Sequence, residues 1–123
     1  MSFILKSPTG SDVQINQWHW HPTMVLIQRA IQLDEEQVER LSSNGCGGTI
    51  SLEEAVKIAD YVDIFLIDFS HEGRLLLDGS VTMEPKSDQL FRGEEWHKNY
   101  STNYDWLARF RDFCRSSDGF KIS

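Results

Sequence analysis

Four consecutive residues, Trp18-His19-Trp20-His21, contain half of the four tryptophans and half of the four histidines of this 123-residue chain. If the segment is extended, successive side chains point to opposite faces, so both imidazoles lie on one side. Two imidazoles at this spacing could chelate a metal ion, or act as acid and base, if a further ligand joins them. The candidate third ligands are His71-Glu72, His97 and Glu94-Glu95.

The same segment also has a structural interpretation, which the sequence favours. The chain has no second closely spaced ligand pair, and it lacks the zincin spacing of two histidines four residues apart with a glutamate between them. In this interpretation, Trp18 and Trp20 pack against the start of a helix that begins near Pro22, while the imidazoles form hydrogen bonds with the backbone or with solvent. A small metal-dependent enzyme centred on His19 and His21 is therefore the alternative function, and we expect no cofactor and assign no catalytic residue.

Cysteine usage indicates a reducing compartment. Cys46 and Cys114 are the two cysteines, without a Cys-x-x-Cys pair or the cysteine density of a secreted disulfide scaffold. Cys46 lies in the glycine-rich turn Asn44–Gly48, but no nucleophile signature surrounds it, and no Lys-Ser or Lys-Thr follows at phosphate-loop spacing. We expect two free thiols, a connector turn and a cytoplasmic protein, because the chain also shows no signal peptide.

A second aromatic motif, Trp96-His97-Lys98-Asn99-Tyr100, falls in a segment without sustained periodicity. Large amphipathic side chains in such a segment are less needed for helix packing, and tryptophan and tyrosine are enriched at interaction hot spots. His97 would add a switchable hydrogen-bond donor. The candidate binding residues are therefore Trp96, His97 and Tyr100, the alternative being that Trp96 folds back onto the core.

The elements around these motifs follow from periodicity and from turn and capping signals. Asp34 and Ser51 each begin a capping box, the run Thr102-Asn103-Tyr104-Asp105 can cap the last helix, and Asp78-Gly79 suits a tight hairpin turn. The helix after Ser51 is predicted to pack inward with one apolar face, formed by Leu52, Ala55, Val56, Ala59, Val62, Leu66 and Phe69. The pattern predicts one domain over residues 1–123, of the α+β class, with about four helices and a small antiparallel β component. The predicted helices cover about 22–33, 35–43, 51–69 and 104–117, with hairpins at 3–15 and 74–83, a helical turn at 94–98 and a strand at 120–122.

Composition and charge limit the possible partners. The chain is 40% apolar and 25% charged, as in ordinary globular proteins, and its formal charge is −7. That charge would repel a phosphate backbone, so nucleic acid is not an expected ligand, and a basic protein surface is the natural complement. The apolar stretch from Val62 to Phe69 is too short to span a bilayer, so no membrane association is expected.

Several motifs carry a resemblance that covers most of the chain. They are Trp18-His19-Trp20-His21-Pro22-Thr23, Ser51-Leu52-Glu53-Glu54-Ala55 after the glycine turn, Asn99-Tyr100-Ser101 before Trp106-Leu107, and Phe113-Cys114-Arg115-Ser116 before Gly119-Phe120. Together they resemble a group of small uncharacterised bacterial proteins, a resemblance that brings no activity or catalytic residues with it. Size and acidity are also similar to those of immunity proteins, which plug the active sites of bacterial toxins. The resulting expectation is a non-enzymatic, cytoplasmic protein-binding or inhibitory module.

Overall fold

Helices and two antiparallel sheets make up the part of the chain that the computed structural model describes, residues 2–43, 47–85 and 90–122. The helices are α1 (Gln17–Ala30), α2 (Glu35–Ser42), α3 (Leu52–Ile67), α4 (Tyr104–Ser116) and a short 3-10 helix (Gly93–Asn99). The strands are β1 (Ser2–Lys6), β2 (Val13–Asn16), β3 (Thr49–Ile50), β4 (Arg74–Leu76), β5 (Val81–Thr82), β6 (Ser101–Asn103) and β7 (Phe120–Ile122). The predicted α+β class is confirmed. No helix in these ranges is long and apolar enough to cross a membrane.

Three helices begin where the sequence predicts a capping residue. Both predicted capping boxes form: the side chain of Asp34 accepts from the backbone N–H of Gln37 at 2.8 Å, and Ser51 Oγ accepts from that of Glu54 at 3.1 Å. Asn103 likewise accepts from the N–H of Trp106 at the start of α4. Each cap pairs a backbone donor that the helix itself cannot satisfy.

Helix α1 begins at Gln17, so the predicted start near Pro22 is wrong and the Trp18–His21 segment is helical. The Asn16 side chain accepts a hydrogen bond from the N–H of His19 at 3.1 Å, which nucleates the helix before the motif. Pro22 therefore lies inside the helix, where it cannot donate to a carbonyl of the preceding turn. An alternation of two residue types over four positions fits a strand and a short helical stretch equally well.

Each sheet contains one of the predicted hairpins. In the larger sheet, of order β2-β1-β7-β3, β1 and β2 form the first hairpin, with Phe3 opposite Ile15 and Leu5 opposite Val13. In the smaller sheet, of order β5-β4-β6, β4 and β5 form the second hairpin around the Asp78-Gly79 turn. The predicted terminal strand is β7, which lies between β1 and β3.

Aromatic side chains connect the larger sheet to the helices that cover it. Trp20 of α1 is fully buried, with its ring centroid 6.0 Å from that of Phe3 on β1 and 5.8 Å from that of Phe110 on α4. Phe110 in turn lies 6.1 Å from Phe120 on β7. The core is thus a layer between the sheet and helices α1, α3 and α4.

Helix α3 packs one face against this core and exposes a second apolar face. Ala55, Ile58 and Val62 are fully buried on the inner side. The prediction that Leu52 and Val56 share this buried face is wrong, since they are 50% and 45% exposed. Apolar residues occur on both sides of α3, so hydrophobic periodicity alone does not determine which side packs inward.

The predictions for the two cysteines have different outcomes. Cys114 is a free thiol buried in α4, as predicted, and burial raises its pKa because the thiolate would lose its hydration. Cys46, with the neighbouring Asn44 and Gly45 of the predicted connector turn, lies outside the described residues. Its thiol state therefore stays a prediction.

We predict that Trp20→Ala lowers the free energy of unfolding by about 3–5 kcal/mol, because it removes a fully buried indole and leaves a cavity. Urea denaturation followed by circular dichroism measures the change. Trp96→Ala is the matched control, since the Trp96 indole is largely exposed and its loss should cost less than about 1 kcal/mol. Equal losses for the two variants would contradict the assignment of Trp20 to the core.

Candidate functional site

The two tryptophan–histidine motifs meet at one surface of the molecule. On helix α1, Trp18 and His21 are three residues apart and share a side. The Tyr100 ring packs there, with its centroid 4.8 Å from that of Trp18 and 5.5 Å from that of His21. Trp96 also packs against Tyr100 in a T-shaped contact, with ring centroids 5.7 Å apart. We call these four residues the aromatic cluster.

Trp96 is the most exposed member of the aromatic cluster. Its side chain is 53% exposed, so it does not fold back onto the core. The interplanar angle with Tyr100 is 89°, an edge-to-face arrangement that favours contact between the positive edge of one ring and the negative face of the other. His97 lies beside Trp96, with ring centroids 6.4 Å apart. The structure therefore brings all three predicted binding residues, Trp96, His97 and Tyr100, to one place.

Hydrogen bonds fix the segment that carries Trp96. The Asn99 side chain donates to the carbonyl of Phe91 at 2.8 Å and accepts from the N–H of Phe91 at 2.7 Å, which closes the segment into a loop. The N–H of Tyr100 donates to the carbonyl of His97 at 3.2 Å, at the end of the 3-10 helix. Because these bonds already order the loop, the loop would lose little conformational entropy when a partner contacts Trp96.

His19 belongs to a different environment from His21. Its Nδ1 lies 3.2 Å from Thr102 Oγ1. Its backbone carbonyl accepts from Thr23 Oγ1 at 2.8 Å, and Thr23 Oγ1 accepts from the indole N–H of Trp106 at 2.8 Å. This chain of hydrogen bonds satisfies a buried indole on α4, so the His19 position serves the packing of α1 against α4 and β6.

The geometry proposed for a metal site at His19 and His21 is not present. Successive helix positions differ by about 100°, so residues two apart point to different sides. Of the candidate third ligands, His71 stacks on Tyr104 with ring centroids 3.7 Å apart. Within residues 2–43, 47–85 and 90–122, no group of three His, Cys, Asp or Glu side chains is placed to hold a metal ion. The metal-enzyme alternative therefore gains no support from these residues.

Charges immediately around Trp96 are mixed in sign. Glu95 accepts a hydrogen bond from Lys98 Nζ at 3.0 Å, and the same ammonium lies 5.5 Å from the centre of the Phe91 ring. Arg92 and Glu94 are both exposed nearby in the sequence. The net charge of −7 therefore comes from the molecule as a whole and not from a local acidic patch at the aromatic cluster.

A cleft of about 230 Å³ lies between the β4–β5 hairpin and the 3-10 helix. Its two cations already have partners: Arg74 donates to the carbonyl of Glu84 at 2.8 Å and to Ser101 Oγ at 3.0 Å, and Lys98 pairs with Glu95. An anionic ligand would have to displace these bonds, so the cleft is a weaker candidate site than the aromatic cluster. It is lined by Arg74, Leu76, Thr82, Glu84, Pro85, Phe91 and Lys98.

His21 is the cluster member whose protonation the surroundings affect. Its ring is half-buried between Tyr100 and Phe3, with the Phe3 centroid at 5.8 Å in an edge-on contact. Burial lowers its pKa, because the imidazolium would lose hydration. The neutral ring is therefore the form that packs in the cluster.

Sequence reasoning did not assign Trp18 and His21 to the binding site. The available signal was their spacing of three residues, which places two side chains on one side of a helix but on opposite faces of a strand. Once the segment is known to be helical, the pair and the separate Trp20 follow directly. Their contact with Tyr100 depends on tertiary packing and has no local signature.

Comparisons with protein-family models, with curated proteins and with solved structures found no significant match to this chain. The resemblance to small bacterial proteins and to immunity proteins therefore remains a prediction.

We predict that His21 makes stability depend on pH below neutrality. Its folded-state pKa lies below the unfolded value of about 6.5, so the unfolded chain binds more protons in the window below that value. The contribution is fully present above pH 6.5 and decreases as the pH falls toward the folded pKa. Urea denaturation between about pH 7.5 and 5.5 should show a smaller loss of stability in His21→Gln than in the wild-type protein.

His71→Gln is the matched control for this measurement, because His71 lies on the exposed surface and outside the aromatic cluster. It should keep the pH dependence of the wild type. Equal pH dependence in the wild type and His21→Gln would show that this imidazole does not couple to folding.

Proposed function

We propose that this protein is a non-enzymatic, cytoplasmic protein-binding module that docks on a basic partner through the aromatic cluster, in the manner of an inhibitor. The observation that carries the proposal is Trp96, which is 53% exposed and braced by Tyr100, which itself packs on Trp18 and His21. An exposed indole on a rigid support is the typical form of an interface anchor.

Long-range charge attraction and short-range apolar burial would contribute to such an interface in different ways. The net charge of −7 would attract a basic partner over distances of about 8–10 Å at physiological ionic strength, and so would act mainly on the association rate. Because charges around Trp96 are mixed, they add little to affinity in the complex. Burial of the exposed part of the indole would supply the short-range part of the binding free energy. A central aromatic anchor contributes on the order of 2 kcal/mol or more to that free energy.

An inhibitory role is consistent with the exposure of the anchor. Trp96 lies on the 3-10 helix, is 53% exposed and packs against Tyr100, so about half of its indole is accessible to a concave surface such as the active-site cleft of an enzyme. The resemblance to small acidic immunity proteins suggests a toxin enzyme as the partner. No catalytic group of this chain is required for that role, since occlusion of the cleft is sufficient.

The first experiment identifies the partner by contact. A photo-crosslinking amino acid replaces Trp96 in cells that naturally produce the protein, and crosslinked proteins are identified by mass spectrometry. The matched control carries the same amino acid at Leu90, which is an exposed apolar residue of the same segment but lies outside the aromatic cluster. We expect a basic protein to crosslink at Trp96 and not at Leu90.

We predict that Trp96→Ala increases the dissociation rate of that purified partner by about thirtyfold or more, equivalent to about 2 kcal/mol. Surface plasmon resonance measures both rates, and Leu90→Ala serves as the control with an unchanged dissociation rate. Raising the salt concentration should slow association of the wild type, because it screens the attraction between opposite net charges.

Three results would count against the proposal. An unchanged dissociation rate in Trp96→Ala would show that Trp96 is not the anchor, provided that urea denaturation shows the variant to be folded. A partner whose contact surface is acidic would contradict the proposed attraction between opposite charges. Binding of the same strength to an unrelated basic protein would show non-specific charge attraction only.

A further inference from the structure

The outer face of α3 carries large apolar side chains that nothing in the described parts of the chain covers. Leu52 and Val56 are half exposed, and Ile64 and Ile67 are 67% and 77% exposed. They account for half of the large apolar side chains that are exposed in the described residues; the others are Val81, Met83, Leu90 and Trp96. The concentration on one helix distinguishes this face from the scattered apolar residues that are normal on protein surfaces.

A helix on the surface of a monomer is usually apolar on one side only. The inner side of α3 already fulfils that role, since Ala55, Ile58 and Val62 are fully buried against the core. A second apolar side is therefore surplus to the folding of one chain. Large exposed apolar patches of this kind typically mark a contact with another molecule.

The order of residues along this face is nearly symmetric about Asp60. Val56 and Ile64 lie four residues before and after it, and Leu52 and Ile67 lie eight before and seven after. In an antiparallel pair related by a two-fold axis at Asp60, Val56 faces Ile64 of the other helix, while Ile67 lies close to the line of Asp60 and Leu52 lies at the margin of the contact. We propose that the outer face of α3 pairs with the same face of a second copy of this chain, in antiparallel orientation, to form a symmetric dimer.

Charged groups on the face permit this arrangement. Asp60 would lie near its own symmetry mate, but Arg115 of the same chain donates to it at 3.4 Å, and to Asp63 at 3.3 Å, and so offsets part of its charge. Lys57 forms no ion pair with any residue in the described ranges. At one turn from the axis, its ammonium is within reach of Asp60 of the second copy. Each carboxylate at the axis would then have two cationic neighbours.

Mixed charge is also the reason to choose a second copy over a basic partner. Glu53, Lys57, Asp60 and Arg115 give this face both signs, whereas a surface that selects a basic protein would be acidic. A second copy supplies the matching set of both signs by symmetry. The partner proposed for the aromatic cluster is a different one, so the two proposals are independent.

The size of the face determines how strong the dimer is. With 16 residues, α3 is about 24 Å long at 1.5 Å per residue. A contact along one such helix is smaller than the roughly 800 Å² per partner of a standard stable interface. The net charge of −7 on each copy adds long-range repulsion. We therefore expect a weak dimer that forms at high protein concentration and is strengthened by salt.

The test is sedimentation velocity of the full chain from about 5 to 500 μM, at about 20 and 500 mM NaCl. We expect the weight-average sedimentation coefficient to rise with concentration, and to rise at lower concentration in high salt. Ile64→Glu should raise the dimer Kd by about tenfold or more, because it places a carboxylate opposite Val56 of the second copy. Leu90→Glu, an exposed apolar residue outside α3, is the matched control and should dimerise like the wild type.

A crosslink checks the position of the axis. Asp60→Cys, in a Cys46→Ser background, should form an intermolecular disulfide under mild oxidation, while Leu90→Cys in the same background should not. A monomer at every concentration, or a dimer that Ile64→Glu leaves unchanged, would overturn the proposal. A dimer that Trp96→Ala weakens as much as Ile64→Glu would instead place the contact at the aromatic cluster.

Discussion

The position at which helix α1 begins determines the direction of every side chain in the Trp18–His21 segment. Asn16 accepts from the N–H of His19 and starts the helix at Gln17. From that start, steps of about 100° send Trp20 into the core, turn Trp18 and His21 toward Tyr100, and leave His19 beside Thr102. A start one residue later would rotate all of these side chains together. The core and the aromatic cluster thus share one orientation of α1, which the capping bond of Asn16 helps to fix.

The buried tryptophans impose a second constraint, because each indole N–H needs an acceptor once water is excluded. Trp20 donates to the carbonyl of Leu41 at 2.8 Å, which fixes α2 against α1. Trp106 donates to Thr23, whose hydroxyl donates onward to the carbonyl of His19. These bonds add direction to contacts that are otherwise apolar. They help to explain why α1, the helix with the proline inside it, is also the helix that contacts β1, β6, α2 and α3.

Local signals in the sequence predicted the helix caps at Asp34, Ser51 and Asn103, both hairpins and the terminal strand, because each depends on residues close in the chain. The aromatic motif at residues 96–100 likewise predicted Trp96 and Tyr100 as candidate binding residues. The start of α1 was mispredicted because four residues do not distinguish periods of 2.0 and 3.6. The exposed side of α3 was mispredicted because both of its sides are apolar. The contact of Tyr100 with Trp18 joins residues 82 positions apart, and only the packed chain brings them together.

The place of β7 in the larger sheet has a consequence for biosynthesis. This strand is the last described element of the chain, yet it lies between β1 and β3, and its Phe120 and Ile122 are buried in the core. While residues 120–122 are still inside the ribosomal exit tunnel, β1 and β3 have no strand between them and their apolar faces stay open. The sheet can therefore be completed only after residues 120–122 have left the tunnel, long after β1 has been synthesised. A dependence on late, long-range strand pairing favours slow folding and prolonged exposure to chaperones.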